Sequence, residues 1–148
     1  EHNLLNIYFS TIKIGTNTFR HEDGKNNFVA REEPLGWSHG SDGRESKFGL
    51  NLYSDSINML VIGNLGKRDL GINTITKNSY SPYIDYSSAA FPSGDFRKIL
   101  FLQIGMQWWY KPYLSFLIKF DHEKVEKHDN QSKFEAGFDI YFPLHTKI

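Results

Sequence analysis

The sequence contains no cysteine, which excludes disulfide frameworks, thiolate metal sites and cysteine nucleophiles. It also lacks an excess of either charge, because 17 basic and 17 acidic side chains cancel. A nucleic-acid-binding protein normally carries a basic excess, so the composition gives no reason to expect nucleic acid as a partner. No apolar run approaches the roughly 20 residues that a membrane-spanning helix needs, so a helical membrane protein is excluded as well.

Aromatic side chains, by contrast, are abundant. The 148 residues include 12 Phe, 8 Tyr and 3 Trp, which make up 16% of the chain, although the mean hydropathy is only −0.49. A lipid-facing β-barrel combines these two properties, because only alternate residues of each strand meet lipid. The composition therefore favours that class of membrane protein.

Strict alternation of apolar and polar residues predicts β-strands in this chain. In FEAGFDIYF, an apolar residue stands at every second position from Phe134 to Phe142. Such a period of two is the mark of a strand with two unlike surroundings. No segment shows a helical period over more than a turn or two. Six runs have strand character, and the predicted strands are residues 4–14, 45–53, 57–65, 97–110, 112–121 and 133–142.

The links between the predicted strands alternate in length. Only residues 54–56 separate the second strand from the third, and only the Lys111-Pro112 corner separates the fourth from the fifth. The other links are long, at residues 15–44, 66–96 and 122–132. Outer-membrane barrels have short periplasmic turns and long extracellular loops. We therefore expect an antiparallel transmembrane β-barrel in the bacterial outer membrane, with every long link on the outside.

The six predicted strands leave two questions about the architecture: whether the sheet lies in a membrane, and how six strands become a closed barrel. A soluble β-sandwich alternates in the same way, since antiparallel sheets also pack over a core. Six strands do not close a membrane barrel, for which about eight is the lower limit. A hairpin hidden within residues 17–32 would make eight. We favour instead that residues 1–148 are the C-terminal portion of a larger barrel, because the chain starts at Glu1 without an initiator methionine or signal peptide. Its partners would then be outer-membrane lipid and the remaining barrel strands of the parent chain.

One short motif raises the question of catalysis. GWSHG, residues 36–40, matches the G-x-S-x-G pattern of a nucleophile elbow, with His39 beside Ser38. That motif needs a strand, a sharp turn and then a helix, whereas here a turn and a strand are predicted to follow. We therefore interpret the segment as a glycine turn and the protein as non-enzymatic. An outer-membrane lipid hydrolase that uses Ser38 and His39 is the alternative function.

Metal binding has little support in the pattern of histidines. His122 and His128 flank the charged run DHEKVEKHD and could meet at a hairpin tip. They lack the spacing and the cysteine neighbours of a metal site. We expect a solvated loop at this position, with neither a metal nor another cofactor.

Two groups of side chains suit carbohydrate. Tyrosine rings offer apolar faces and hydroxyls to sugars at low entropic cost, and YSPYIDYS contains Tyr80, Tyr83 and Tyr86 at three-residue spacing. The inward faces of the predicted strands would line a polar lumen with Gln103, Gln107, Lys119, Glu135 and Asp139. Mixed amides and charges of both signs suit neutral or mildly charged solutes, so we predict a polysaccharide ligand. The alternative is that these side chains only satisfy one another across the barrel.

Residues 28–53, FVAREEPLGWSHGSDGRESKFGLNLY, resemble the capsule assembly Wzi family of outer-membrane proteins. Members of that family often have a stretch like G-R-P-L-G-H-x-x-G-P-D-G-R before a C-terminal strand. The matching residues are Pro34, Leu35, Gly36, Gly40, Asp42, Gly43 and Arg44. Trp37 and Ser41 depart from the pattern. The resemblance runs on into the last strands and would cover the C-terminal third of a typical member.

The resemblance implies a lectin-like, non-enzymatic barrel that binds extracellular polysaccharide and helps to attach the capsule to the cell surface. Asp42 and Arg44 then become expected contacts at the extracellular rim, with a turn-forming role as the alternative for Asp42. A soluble β-sandwich that binds carbohydrate stays open as a third class, beside the barrel and the hydrolase.

Overall fold

Regular structure in this protein is almost entirely β-strand. A computed structural model describes residues 2–30, 33–34, 36–77, 79, 82 and 90–141. The strands are β1 (Asn3–Ile14), β2 (Val29–Ala30), β3 (Glu33–Pro34), β4 (Gly43–Ser54), β5 (Met59–Leu70), β6 (Arg97–Lys111), β7 (Leu114–Val125) and β8 (Gln131–Ile140). A 3₁₀ turn at Gly24–Asn26 lies between β1 and β2. Within the described ranges, no helix is long and apolar enough to cross a membrane.

Six of the strands form one antiparallel sheet in the order β1-β4-β5-β6-β7-β8. The sheet is a meander in which Ile7 lies opposite Leu50, Leu50 opposite Gly63, and Gly63 opposite Ile104. The all-β, antiparallel prediction is confirmed. The sheet is open and not closed into a barrel, because the outer edges of β1 and β8 pair with no other strand in the described part of the chain.

Each predicted strand overlaps an observed one, but two strands continue four or five residues beyond their predicted C-terminal ends. β5 runs to Leu70 and β7 runs to Val125, so the loop predicted at residues 122–132 is mostly strand. Charged residues interrupt the alternation in both extensions, so the sequence pattern did not predict them. Arg68 of β5 and Glu123 of β7 bond to each other across the sheet, so these polar positions belong to paired strands and not to a solvated loop.

The hairpin considered within residues 17–32 supplies no spanning strands. β2 and β3 form a short ladder in which Val29 lies opposite Pro34 and Ala30 opposite Glu33. A spanning strand needs roughly 9 to 11 residues. Two long connections therefore remain between strands of the main sheet, at residues 15–42 and 71–96.

One face of the sheet is apolar across all six strands, and we call it the apolar face. Its members are Leu5, Ile7, Phe9, Phe48, Leu50, Leu52, Val61, Leu65, Leu102, Ile104, Met106, Trp108, Phe116, Ile118, Phe120, Phe134, Ala136 and Phe138. Phe9 is 70% exposed, Phe134 66% and Leu65 56%. The described chain therefore leaves this face largely uncovered.

The opposite face is the polar face, and two of its glycines make room for aromatic rings. A Cβ atom at Gly49 would lie 2.2 Å from Tyr8 Cζ, and one at Gly66 would lie 2.7 Å from Phe101 Cζ. Any larger residue at either position would displace the ring. The Tyr8 hydroxyl donates a hydrogen bond to Asn64 Oδ1 at 2.6 Å. The two rings thus lie close against the sheet and leave the middle of the polar face open.

A small core covers the polar face at the end where the long connections join the strands. Leu70, Ile99 and Val125 are buried there on three adjacent strands, and Trp37 packs against them. We call this end of the sheet the loop end and the opposite one the turn end. The connection that carries Trp37 therefore folds over the polar face.

Candidate functional site

Asp42 joins the two long connections at the loop end. Its φ of 62° lies in the left-handed region, which Asp enters more readily than most residues, and its side chain is fully buried. Oδ1 accepts hydrogen bonds from Thr16 Oγ1 and Ser93 N, both at 2.8 Å. Oδ2 accepts from Asn73 N at 3.0 Å and from the Ser93 hydroxyl. Both carboxylate oxygens are thus occupied by the protein itself.

Further hydrogen bonds complete this junction, which we call the loop cap and define as residues 15–20, 36–42, 71–77 and 90–96. Ile75 N donates to Ser41 Oγ at 3.0 Å, and Gly71 N donates to the Asp42 carbonyl at 2.7 Å. Arg20 Nη2 donates to the Asn73 carbonyl at 2.8 Å. Burial lowers the pKa of Arg20, and the nearby Asp42 carboxylate opposes that shift. The two long connections consequently behave as one packed unit.

A buried ion network lies on the polar face beside the loop cap. Arg68 Nε donates to Glu45 Oε2 at 2.8 Å, and Arg68 Nη1 donates to Glu123 Oε1 at 3.1 Å. The guanidinium carbon lies 4.8 Å from the centroid of the Phe101 ring. The side chains of Arg68 and Glu45 are 6% and 7% exposed. A buried charge that loses its partner is strongly destabilising. The network therefore holds β4, β5 and β7 together.

The GWSHG segment lacks the context of a nucleophile elbow. Residues 36–40 are bends and turns, and strand β4 follows them where a helix would be needed. Ser38 is exposed. The His39 ring meets the Trp37 ring edge-on, with centroids 5.0 Å apart. His39 therefore serves as a packing partner within the loop cap.

The surroundings of His39 lower the pKa of its ring. Burial lowers its pKa, and the positive charge of Arg68 lowers it further. Glu45 and Glu123 oppose the shift by favouring the protonated ring. The positive charge of Arg68 therefore acts on His39 of the loop cap as well as on Glu45 and Glu123.

The middle of the polar face remains open and forms a groove of about 340 Å³, which we call the polar groove. It is lined by Ile62, Asn64, Gln103, Ile104, Gly105, Lys119, Asp121, Lys133 and Glu135. Gln103 lies in register between Asn64 and Asp121, and Lys119 lies beside Glu135. The groove thus alternates amides with charges of both signs. Such groups can bond sugar hydroxyls and carboxylates at many points along a chain.

The predicted ligand-binding residues on the strands lie in two places. Gln103, Lys119 and Glu135 come together in the polar groove. Asp139 lies nearer the turn end, where Ser115 Oγ is 3.5 Å from its Oδ2 atom and accepts from Gln107 Nε2 at 3.0 Å. The predicted ring cluster, Tyr80, Tyr83 and Tyr86, lies outside the residues that the structure describes.

Asp42 and Arg44, expected together at the extracellular rim, have different surroundings. Asp42 is buried in the loop cap, as described above. Arg44 is 56% exposed on the apolar side of the sheet, where its Nε atom donates to Asp69 Oδ2 at 2.7 Å. The structure therefore does not bring the two side chains to one surface.

Asn64, Asp121 and Lys133 were not among the predicted ligand-binding residues, although all three line the polar groove. The signal that finds Asn64 and Asp121 is strand register. Once β6 is paired with β5 and β7, both residues fall opposite Gln103. Lys133 then follows, because it pairs with Asp121 on the next strand. Register depends on the lengths of the turns, which the sequence pattern left uncertain at the ends of β5 and β7.

The two histidines near the hairpin tip do not meet. His122 Nδ1 lies 2.8 Å from Ser132 Oγ, and His128 Nδ1 lies 3.1 Å from the Glu126 carbonyl. Among the described residues, no group of three or more His, Cys, Asp or Glu side chains could hold a metal ion.

No protein-family model, curated protein or solved structure matches this chain. The class of protein is therefore described from the fold and the candidate site alone. They describe an antiparallel sheet with an exposed apolar face, and a polar face that carries a loop cap and an open groove.

Proposed function

We propose that this chain forms part of the wall of a transmembrane β-barrel in the bacterial outer membrane, and that its polar groove binds extracellular polysaccharide. The observation that carries the proposal is the exposed apolar face. Apolar patches on soluble monomers rarely exceed a few hundred Å², whereas this face extends across all six strands. Hydrocarbon is the surrounding that suits such a face, because the outward side chains of a membrane barrel form an apolar band.

The height of the apolar face supports a membrane surrounding. On β6 the face runs from Leu100 to Tyr110, which is about 34 Å at roughly 3.4 Å per residue. At the usual tilt of about 35–45°, such a strand spans about 26 Å, close to the ~25 Å apolar band of outer-membrane barrels. The rings of Trp108 and Tyr110 lie near the turn end with centroids 5.9 Å apart. That is where an interfacial girdle of aromatic residues is expected.

The open edges of the sheet support closure by further strands. β1 and β8 each have one side that is unpaired in the described chain. An unsatisfied backbone group in hydrocarbon costs several kcal/mol, so a lipid-facing sheet needs partners at both edges. The remaining barrel strands of the parent chain are the partners that fit this requirement.

The polar groove supports the ligand part of the proposal. Lys119 and Gln103 present a cation and an amide within one open groove, beside the ion pair of Lys133 with Glu135, and this mixture suits a neutral or mildly charged polysaccharide. The resemblance of residues 28–53 to the capsule assembly Wzi family carries the further proposal that this polysaccharide is capsular. The protein would then act without catalysis, by holding capsule at the cell surface.

Fractionation and gel mobility test the barrel part of the proposal. The parent protein should sediment with outer membranes, and its band should move differently before and after boiling, since a closed barrel resists detergent until it is heated. A soluble protein with one mobility would contradict the barrel. It would support instead a β-sandwich module that binds carbohydrate.

Binding to surface polysaccharide purified from the source cells tests the ligand part. Lys119→Ala combined with Gln103→Ala should weaken retention on the immobilised polysaccharide about tenfold, since a hydrogen bond to a charged group contributes about 1.5–3 kcal/mol. Lys25→Ala in the exposed 3₁₀ turn is the matched control and should bind as the parent does. Ser38→Ala should also bind normally, whereas a lipid hydrolase that used this serine would lose its turnover.

A further inference from the structure

The apolar face ends differently at its two borders. At the loop end, the same side of the sheet carries a row of cations on five adjacent strands. We call them the cationic border, and its members are Lys13, Arg44, Lys67, Lys98 and Lys124. At the turn end the border is aromatic, with Trp108 stacked on Phe116 and Tyr110 edge-on to Trp108.

Three lysines of the cationic border, Lys13, Lys67 and Lys124, carry charge that no carboxylate of the described chain neutralises. Arg44 pairs with Asp69 at 2.7 Å, and Lys98 pairs with Glu126 at 3.2 Å. No carboxylate in the described ranges lies within 4.0 Å of the ammonium of Lys67 or Lys124. The local acids are therefore already paired with other cations, and beside Leu100 the positive charges of Lys67 and Lys124 remain for an external anion.

The two lysines flank one leucine. Lys67, Leu100 and Lys124 lie side by side on β5, β6 and β7, so the two lysine Cα atoms are about 10 Å apart at roughly 4.8 Å between strands. A groove of about 360 Å³ opens around Leu100. It is lined by Lys67, Asp69, Lys98, Ile99, Leu100, Lys124 and Glu126. One step further from the loop end, the same face is apolar at Leu65 and Leu102.

We infer that this groove binds the phosphate-bearing headgroup of a membrane lipid, with Lys67 and Lys124 on the phosphate. The inference rests on the proposed membrane setting of the apolar face. An ammonium is a compact point charge that suits phosphate, and long lysine stems let it reach the interface from an apolar surface. Leu65 and Leu102 continue the groove into the apolar face, where acyl chains would lie. Charge above hydrocarbon is the arrangement that fits an anionic amphiphile.

Lipid competition in the intact parent protein tests this inference. The folded protein in a neutral detergent is given equal amounts of phosphatidic acid and phosphatidylcholine, and bound lipids are counted by native mass spectrometry. We expect phosphatidic acid to be retained about tenfold over phosphatidylcholine, because each interfacial lysine favours anionic lipid. Lys67→Gln combined with Lys124→Gln should bring the ratio near one, while Lys25→Gln with Lys47→Gln, an equal change of charge elsewhere, should keep it.

The outcomes separate this inference from the proposed function. A parent protein with heat-modifiable mobility but no preference for phosphatidic acid would overturn the lipid site alone. The same holds if the double variant at residues 67 and 124 keeps the preference. Inorganic phosphate at a concentration equal to the lipid should not displace phosphatidic acid, and full displacement would show a phosphate site with no need of a membrane. A protein that never folds as a barrel in detergent would overturn the proposed function and this inference together.

Discussion

The two faces of the sheet differ in which of them the chain covers. In a soluble antiparallel sheet, the apolar face packs on a core and the polar face meets water. Here the loop cap and the core of Leu70, Ile99 and Val125 lie on the polar face, while Phe9 and Phe134 stay exposed on the other. The chain thus covers its polar face with its own connections and leaves the apolar face to another surrounding. This inverted arrangement is the one that suits a sheet in lipid.

The faces also differ in the kind of interaction that stabilises them. The polar face depends on directed bonds, such as those of Arg68 to Glu45 and Glu123. The apolar face offers only side-chain surface, so its contribution depends on what surrounds it. Substitutions of the same size should therefore have different effects on the two faces.

The largest effect should come from the buried ion network. Arg68→Met leaves Glu45 buried without its partner, and we expect a loss of about 3–5 kcal/mol in the free energy of unfolding. Arg44→Met breaks the exposed pair with Asp69 and should cost less than about 1 kcal/mol. Urea titration of the folded fraction in lipid vesicles measures both variants. Equal losses would mean that the polar-face network is as solvated as the surface pair.

The second effect compares neighbours on opposite faces of β8. Ala136 lies on the apolar face and Gly137 on the polar face, where an added Cβ meets no atom within 4 Å. Ala136→Arg should destabilise the protein by about 2–4 kcal/mol if its side chain enters the bilayer. Gly137→Arg places the same side chain at the same depth on the other face and should cost far less. The same titration tests the pair, and a reversed order would contradict the assignment of the faces.

The third effect concerns the loop cap. Asp42→Asn keeps the shape of the side chain but removes the charge, and its amide nitrogen would face donors such as Ser93 N. Because hydrogen bonds to a charged group contribute about 1.5–3 kcal/mol, the amides of Asn73 and Ser93 should exchange with deuterium at least tenfold faster. Asp55→Asn in the exposed turn after β4 is the control and should leave those two rates unchanged. Unaltered exchange in the Asp42 variant would show that the cap is held by other contacts.

The smallest effect should be a dependence on pH. The folded protein holds the pKa of His39 below its usual value, so the unfolded chain binds the proton more strongly. Stability is then fully present above pH 6.5 and falls as the pH drops below that value, until the folded form also takes up the proton. The effect is small because the ring is only half buried. The melting temperature is measured at pH 7.5 and at pH 5.5, and the difference is corrected for the other histidines. His39→Gln should remove the difference that remains, whereas the control His21→Gln should keep it.

Alternation located the six strands of the main sheet, and it assigned their faces except on β5, whose centre is apolar on both sides. The stretch from Phe134 to Ile140 alternates without a break, and β8 has that phase in the structure. The C-terminal ends of β5 and β7 were not predicted, because charged residues there interrupt the apolar alternation. A charged run indicates a solvated loop unless its ion-pair partners are known. Arg68 and Glu123 are partners from distant segments, and such pairings follow from register and not from local pattern.

The candidate site was predictable only in part. Gln103, Lys119 and Glu135 were found because they oppose apolar residues on their own strands. Asp42 was expected at the surface, yet its carboxylate is buried and accepts hydrogen bonds from Thr16 and Ser93 in other segments. A single sequence does not reveal such contacts, since nothing in the local residues records which distant loop will pack against them.

Spin labels on adjacent residues of β8 test the central claim most directly, which is that the apolar face meets lipid. Residues 1–148 contain no cysteine, so Ala136→Cys and Gly137→Cys each give one labelled position within them. The parent protein with either change is reconstituted into phosphatidylcholine vesicles. We expect the label at residue 136 to relax through oxygen dissolved in the bilayer and to be shielded from a water-soluble nickel chelate. The label at residue 137 should show the reverse. Equal access of the nickel chelate to both positions would contradict the account.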